Sequence, residues 1–235
     1  MLHAVNNGHG ICVEVKLLPM TLSFDLYWSM RSPFCYLALD RVLALRARYD
    51  LEVNLRVVYP IAIRNPQFFK TAPKHYRSYH LRDSNRLAEY LGIPYRRPIP
   101  DPIIQDMDTG EIAEHQPYIH KLTRLAAAAV VAGKGLEFQD QVMRLLWDGH
   151  TDNWDQGPHM ASAIKRTGLN PQALKRALEM DPDRYDDAIE ANQETHNSAG
   201  HSGVPLLVFQ GEPFFGQDRL EILLWRMKQY GLVNR

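Results

Sequence analysis

The first part of the chain reads as two strand-like segments on either side of a helical one. Residues 22–29 are LSFDLYWS, and their aromatic side chains with partial alternation of apolar and polar positions predict a strand. Ser32 followed by Pro33 is typical of a helix start, because serine caps helix N-termini and proline fits the first helical position. The helix should extend to about Arg48, and residues 51–59 predict a second strand.

The middle of the chain, residues 61–200, differs because helical patterns dominate and strand candidates are few. Helices are predicted over residues 76–91 and 116–132, and another around residues 138–146, where apolar positions recur at helical spacing. The proline-rich stretch at 95–102 predicts an extended loop. Two or three more helices should complete this block.

The end of the chain returns to strand-like patterns. Residues 204–209 read VPLLVF and predict a short apolar strand, and residues 213–215 predict another after a turn. The last helix should begin at Gln217 or Asp218 and run to about Tyr230, with apolar residues at helical spacing.

This order of elements predicts an α/β fold with a large all-helical insertion between the second and third strands. Residues 21–60 and 201–235 should form the sheet-containing domain, and residues 61–200 the inserted helical subdomain. Residues 1–20 lack the basic start, apolar core and cleavage site of a signal peptide, and we expect a disordered N-terminal extension there.

The composition shows no electrostatic bias. Among the 235 residues, 27 Lys and Arg balance 27 Asp and Glu, which gives no argument for binding to nucleic acid or to an anionic membrane. The longest apolar run, residues 125–132, is far shorter than the roughly 20 residues of a membrane-spanning helix. We therefore expect neither a nucleic-acid nor a membrane partner.

The two cysteines, Cys12 and Cys35, do not form a CxxC motif, so neither a zinc ribbon nor a vicinal redox pair is expected. Two cysteines in a chain of this length make no disulfide framework, which favours a reducing compartment and a cytoplasmic location. The histidine pairs His75/His80, His115/His120 and His196/His201 are each five positions apart, which would place the two members on different faces of a helix, and we expect no metal site.

The segment Ser32-Pro33-Phe34-Cys35 is the first candidate site. A helix N-terminus offers unpaired N–H groups and the positive end of the helix dipole, and so stabilises an anion such as a thiolate. Ser32 either donates its hydroxyl to such an anion or only caps the helix. Cys35, one turn later, is either a small core residue or a reactive thiol.

Two further candidates lie near the C-terminus. The Val204-Pro205 bond is either a cis-proline that presents the backbone of Val204 to a ligand or an ordinary proline at a strand edge. Gln217 and Asp218 either hold a polar ligand group or, with Glu221, form an arrangement like a capping box. His201 is either packed or solvated, or it faces the site.

Three segments, FDLYWSMRSPFCYLAL, GVPLLVF and EPFFGQDRLEILLWRM, resemble in order those of the glutathione-dependent 2-hydroxychromene-2-carboxylate isomerases. HLRDSNRLAEYLGIPY resembles part of that family's inserted helical region. The family has a DsbA-like thioredoxin fold and is similar to the kappa-class glutathione transferases. The resemblance covers roughly residues 22–230 and implies a thioredoxin-like fold for this chain.

The resemblance also implies roles for individual residues. Ser32 occupies the position of the attacking cysteine of redox relatives and would stabilise the thiolate of bound glutathione. Val204, before a cis Pro205, would pair its backbone with the cysteinyl part of glutathione, and Gln217 and Asp218 would hold the γ-glutamyl end.

The function implied is glutathione-dependent cis–trans isomerisation of a small aromatic enone or related acid, through reversible addition of a thiolate. A homodimer is the implied oligomeric state. Three alternatives stay open: a kappa-type glutathione transferase, a DsbA-like disulfide oxidoreductase acting through Cys35 alone, and a thiol- or peptide-binding module without catalysis.

Overall fold

A four-stranded mixed sheet forms the centre of the computed structural model, which describes residues 21–106 and 108–235. The strands lie in the order β2-β1-β3-β4, where β1 is parallel to β2 and antiparallel to β3, and β3 and β4 form an antiparallel hairpin. Their bounds are β1 Leu22–Trp28, β2 Leu51–Val57, β3 Leu206–Phe209 and β4 Glu212–Phe215.

Ten α-helices occur in the described part of the chain, and eight of them lie between β2 and β3. The helices are α1 Pro33–Arg48, α2 Ile61–Arg64, α3 Phe68–Thr71, α4 His75–Leu91, α5 Ile119–Val131, α6 Gly135–Trp147, α7 His159–Arg166, α8 Pro171–Met180, α9 Pro182–Ser198 and α10 Leu220–Gln229. The predicted α/β fold with a helical insertion is therefore confirmed. The extension expected at residues 1–20 lies outside the described residues.

One continuous apolar core joins the sheet to the insertion. Trp28 and Phe24 of β1, Leu37 of α1, and Phe138 and Trp147 of α6 are all almost fully buried in it. Burial of a large apolar side chain contributes about 1.5–3 kcal/mol, so this shared core holds the insertion firmly against the sheet. The indole of Trp147 also donates a 3.1 Å hydrogen bond to the carbonyl of Met30, directly after β1.

Among the predicted boundaries that differ from the structure, two do so for identifiable reasons. Helix α5 begins at Ile119 instead of 116, because the Gln116 side chain binds the backbone N–H and C=O of Ile104 and serves a loop. Strand β3 begins at Leu206 instead of 204, since Pro205 has no N–H to donate to a neighbouring strand.

Candidate functional site

Ser32 lies where β1 gives way to α1, and its side chain links two parts of the chain. It is the N-cap of α1 with extended backbone, and its Oγ accepts a 3.3 Å hydrogen bond from the N–H of Cys35. The same hydroxyl donates to the carbonyl of Val204 at 3.4 Å. Ser32 therefore caps the helix, as one interpretation of the sequence predicts, and its hydroxyl also lies against the segment that precedes β3.

Val204 and Pro205 are joined by a cis peptide bond, the first of the two possibilities that the sequence left open. The N–H of Gly216, after β4, donates to the carbonyl of Pro205 at 3.0 Å. The start of α1, the cis-proline and the turn before α10 are therefore neighbours, although they are far apart in sequence.

His196 and Arg64 hold the loop that leads into the cis-proline. Arg64 donates to the carbonyl of Ser202 at 2.9 Å and contacts Nδ1 of His196 at 3.2 Å. Because a guanidinium only donates, Nδ1 accepts and Nε2–H donates to the carbonyl of Gly203, at 3.0 Å. Burial and the charge of Arg64 lower the pKa of His196 to about 4, so the ring is neutral at pH 7.

A cavity of about 430 Å³ opens beside this junction, between the end of the sheet and helices α2–α4. Of the predicted site residues, Ser32, Val204 and His201 line it, whereas Cys35, Pro205, Gln217 and Asp218 do not. Its wall combines rings with cations: Phe34, Phe68, Phe69, Tyr76, Tyr95, Trp147, Phe215, His80, Arg31, Arg64, Arg77 and Arg97. No Asp or Glu is among the described lining residues, so the cavity suits an aromatic anion.

Cys35 is a core residue, with 0% of its surface exposed. Burial raises the pKa of its thiol to about 12, outweighing hydrogen bonds from the Ser29 backbone and the Ser32 side chain. A thiol needs to ionise and be accessible to act as a nucleophile, so the structure favours the packing interpretation of this cysteine.

His201 shapes the rim of the cavity. Its ring stacks on Phe215 at a centroid distance of 3.6 Å, and its Nδ1 accepts a 2.9 Å hydrogen bond from the N–H of Gly203. A Cβ atom on Gly203 would lie 2.3 Å from the Phe215 ring, so a larger residue at this position would displace the stacked rings. Burial lowers the pKa of His201, which keeps its ring an acceptor for the loop.

Gln217 and Asp218 form a 3₁₀ turn before α10, and both already have partners. The side chain of Gln217 accepts from Arg41, and Asp218 pairs with Arg219 at 2.5 Å. No side chain caps the turn or the helix, so the capping-box arrangement of Asp218 with Glu221 does not form.

Sequence patterns did not reveal the cationic groups of the cavity, chiefly Arg31, Arg64 and Arg97. They come from the β1–α1 junction, from α2 and from the loop after α4. The position of Arg31, immediately before Ser32, was the one available signal. The spacing of His80 from His75 argued only against a metal site and gave no sign of its place in the cavity wall.

The described residues contain no group of three or more His, Cys, Asp or Glu side chains arranged to hold a metal ion. Over the same residues, none of the helices combines the length and the apolar character needed to cross a lipid bilayer.

Solved structures with the same fold include a 2-hydroxychromene-2-carboxylate isomerase, at a TM-score of 0.66 and 20% identity over 89% of this chain and 96% of that one. A probable DsbA oxidoreductase from Streptomyces coelicolor gives 0.61 and 17% identity, with 88% and 89% covered. The cytosolic disulfide reductase DsbM from Pseudomonas aeruginosa with GSH gives 0.54 and 15%, with 88% and 100% covered.

Curated protein sequences give no match to this chain. The family model described as the DSBA-like thioredoxin domain matches residues 24–228, which include both halves of the sheet and the whole helical insertion. The chain belongs to the DSBA-like thioredoxin family.

Proposed function

We propose that this protein is a glutathione-dependent cis–trans isomerase that acts on an aromatic enone acid. The observation that carries the proposal is the position of the Ser32 hydroxyl, at the N-terminus of α1, on the cavity wall and against Val204 before the cis Pro205. A serine at this position supports thiol binding without disulfide exchange, because a hydroxyl stabilises a thiolate but forms no disulfide.

Glutathione fits the residues that are present. The cavity volume of about 430 Å³ is in the range of small-molecule sites. Ser32 and the backbone of Val204 would hold its cysteinyl part, and the arginines of the wall suit its carboxylates. When bound, glutathione supplies a soft thiolate that adds reversibly to a conjugated double bond.

Ser32 would keep the sulfur in its ionised form. Its hydrogen bond to the Val204 carbonyl is 3.4 Å long, beyond the ordinary range for O–H···O bonds, so the hydroxyl is readily recruited by a stronger acceptor. A negatively charged sulfur is such an acceptor, and the dipole of the 16-residue helix α1 favours the same charge.

The chemistry of the wall supports an aromatic acid as the second ligand. Phe34, Tyr76 and Tyr95 provide apolar ring faces, while Arg31 and Arg97 provide guanidinium groups.

Disulfide exchange through Cys35 alone is a weaker hypothesis. Its thiol is buried, its pKa is raised to about 12, and no cysteine precedes it in the position of Ser32.

The resemblance also implies a homodimer, and the cysteine usage favours a cytoplasmic location. Analytical ultracentrifugation of the purified chain would test the dimer.

The test follows isomerisation of trans-o-hydroxybenzylidenepyruvate by ultraviolet absorbance, with and without glutathione, and identifies the product by mass. We expect turnover that needs glutathione and yields a product of unchanged mass. A retained glutathionyl adduct would instead indicate a transferase, and the absence of turnover with any aromatic enone acid would contradict catalysis of this type.

Two variants assign the role of Ser32. Ser32→Ala should lower kcat by about 100-fold or more, the usual cost of losing one donor to a developing anion. Ser202→Ala is the matched control, because Ser202 also lines the cavity but contributes only its backbone carbonyl to the hydrogen bonds described. Equal rates in the two variants would contradict the role proposed for Ser32.

A further inference from the structure

Arg31 and Arg97 share one carboxylate, that of Asp101. Arg31 binds it with two parallel hydrogen bonds, from Nε to Oδ1 at 3.1 Å and from Nη2 to Oδ2 at 2.9 Å. Arg97 donates to Oδ2 at 2.5 Å. Two guanidinium groups are thus fixed side by side by a single negative charge.

Asp101 lies behind the cavity wall, whereas both arginines are part of it. Its own position is fixed by the N–H of Ile103 at 2.9 Å, and the preceding Pro100 carbonyl accepts from the indole of Trp154 at 2.7 Å. Burial opposes ionisation of Asp101, but the charge and hydrogen bonds of Arg31, with smaller contributions from Ile103 and Arg97, hold its pKa below the ordinary value. The cluster therefore keeps one net positive charge at the cavity surface.

An aromatic surface adjoins this charge. The ring of His80 stands edge-on to Phe34 at a centroid distance of 5.0 Å and is tilted against Tyr76 at 6.2 Å. Burial, together with the charges of Arg31 and Arg97, lowers the pKa of His80 to about 4, so the ring is neutral at pH 7. No hydrogen bond among the described residues uses the His80 ring, which leaves its N–H able to donate to a ligand.

We propose that Arg31 and Arg97 form the subsite for the carboxylate of the electrophilic substrate, with the rings of Phe34, Tyr76 and His80 against its aromatic part. This assignment rests on the proposed function and adds the residues that determine specificity for an acid over a neutral enone. Arginine pairs recognise carboxylates well because the planar guanidinium offers parallel donors, and Asp101 holds both groups in place before the ligand arrives.

Two ligands could place a carboxylate at this subsite: the aromatic substrate, or glutathione through its glycyl end. The adjoining rings favour the aromatic source. Binding measured with each ligand separately distinguishes them.

The probe is trans-cinnamate, titrated calorimetrically into the full-length chain without glutathione, beside the neutral isostere cinnamamide. Arg97→Met should weaken cinnamate binding at least about tenfold and leave the weaker binding of cinnamamide unchanged, because a charge-assisted hydrogen bond is lost. Arg96→Met is the matched control: Arg96 is the neighbouring residue but pairs with Asp152, and neither lines the cavity. It should bind both probes as the wild type does.

Arg97→Lys distinguishes a direct contact between the Arg97 guanidinium and the ligand carboxylate from a general effect of positive charge in the cavity. This variant keeps the charge and perturbs folding little, yet loses the planar fork, so it should retain only part of the affinity for cinnamate. Full affinity in Arg97→Lys, or an equal loss for cinnamate and cinnamamide in Arg97→Met, would overturn the proposal. Circular dichroism of each variant checks that the fold is retained.

A parallel titration with glutathione identifies the source of the carboxylate. Unchanged glutathione affinity in Arg97→Met supports the assignment, whereas a loss confined to glutathione would move the subsite to its glycyl end and overturn it. If glutathione fails to bind the wild type, the proposed function fails, while the cinnamate titrations still decide the subsite.

Discussion

The hydroxyl of Ser32 donates to the backbone carbonyl of Val204, 172 positions further along the chain. The same oxygen accepts from the N–H of Cys35, so it connects the first turn of α1 with the cis-proline segment. The sequence resemblance implies that this hydroxyl stands where redox relatives carry their attacking thiol, and the residue three positions on is a buried cysteine. A cysteine in place of Ser32 would therefore complete a CxxC motif with Cys35 at the start of α1.

Replacement of that oxygen by sulfur should restore disulfide exchange. Ser32→Cys creates a CxxC motif at the N-terminus of α1, where the helix dipole lowers the pKa of the first thiol. We expect the variant, but not the wild type, to catalyse reduction of insulin disulfides by dithiothreitol.

The control for the gained reductase activity is the double variant Ser32→Cys, Cys35→Ala. It has no second thiol to resolve the mixed disulfide, so it should not turn over. If Ser32→Cys forms no reducible pair with Cys35, the correspondence between Ser32 and the attacking position is wrong.

The sequence predicted local features better than long-range ones. The start of α1 followed from Ser32-Pro33, because capping and proline preference act between neighbouring residues. The cis state of Pro205 was only one of two interpretations, since no neighbouring residue in the sequence decides between the cis and trans forms. The cavity arginines were not predicted, because their arrangement depends on packing of the insertion against the sheet.

The apolar pattern of the insertion predicted its longer helices but not the short α2 and α3, and it did not show what the polar residues do. Asp101 contacts Arg31 across 70 positions, and no local pattern signals such a pair. The spacing of residues near Asp218 was consistent with a capping box, but no capping box forms. The same spacing did not predict the side-chain partners that Gln217 and Asp218 have in the structure.

Cys35 should be inert in the native protein. In a Cys12→Ser background, where Cys35 is the single thiol, its reaction with Ellman's reagent at pH 8 should be at least about a thousandfold slower than that of a free thiol. Burial and a pKa of about 12 both reduce the accessible thiolate. The same sample in guanidinium chloride should react fully, and fast native labelling would contradict the core assignment.

His196 should make stability depend on pH. Its pKa is about 4 in the folded chain and 6.5 when exposed, so the unfolded chain binds the proton more tightly and stability falls as pH falls from about 6.5 towards 4. When the pH is lowered from 8 to 5, protonation of this group should decrease the free energy of unfolding by about 2 kcal/mol.

Urea unfolding of His196→Asn at several pH values measures how much of the pH dependence of stability comes from this histidine. The amide does not titrate, so the variant should be less stable at pH 8 but lose less stability on acidification than the wild type. His115→Asn, at an exposed position, is the control and should follow the wild type. Parallel loss of stability in His196→Asn and the wild type would show that the neutral ring is not needed by the loop.

Asp218 tests how far the glutathione site extends beyond the cavity. The turn that carries it is tied to the cis-proline by the hydrogen bond from Gly216 to Pro205, at 3.0 Å, so it adjoins the segment expected to bind the cysteinyl part. An exposed carboxylate on the γ-glutamyl ammonium contributes about 1 kcal/mol at most. Asp218→Ala should therefore weaken glutathione binding by about fivefold in calorimetric titration.

A second ligand and a second variant make that result specific. The dipeptide Cys-Gly lacks the γ-glutamyl group and should bind the wild type and Asp218→Ala equally, whereas glutathione should distinguish them. Glu221→Ala removes another exposed carboxylate one turn further along and should leave glutathione binding unchanged, because a screened charge at greater distance adds little. Equal affinity of Asp218→Ala and wild type for glutathione would leave the Asp218–Arg219 pair with a structural role only.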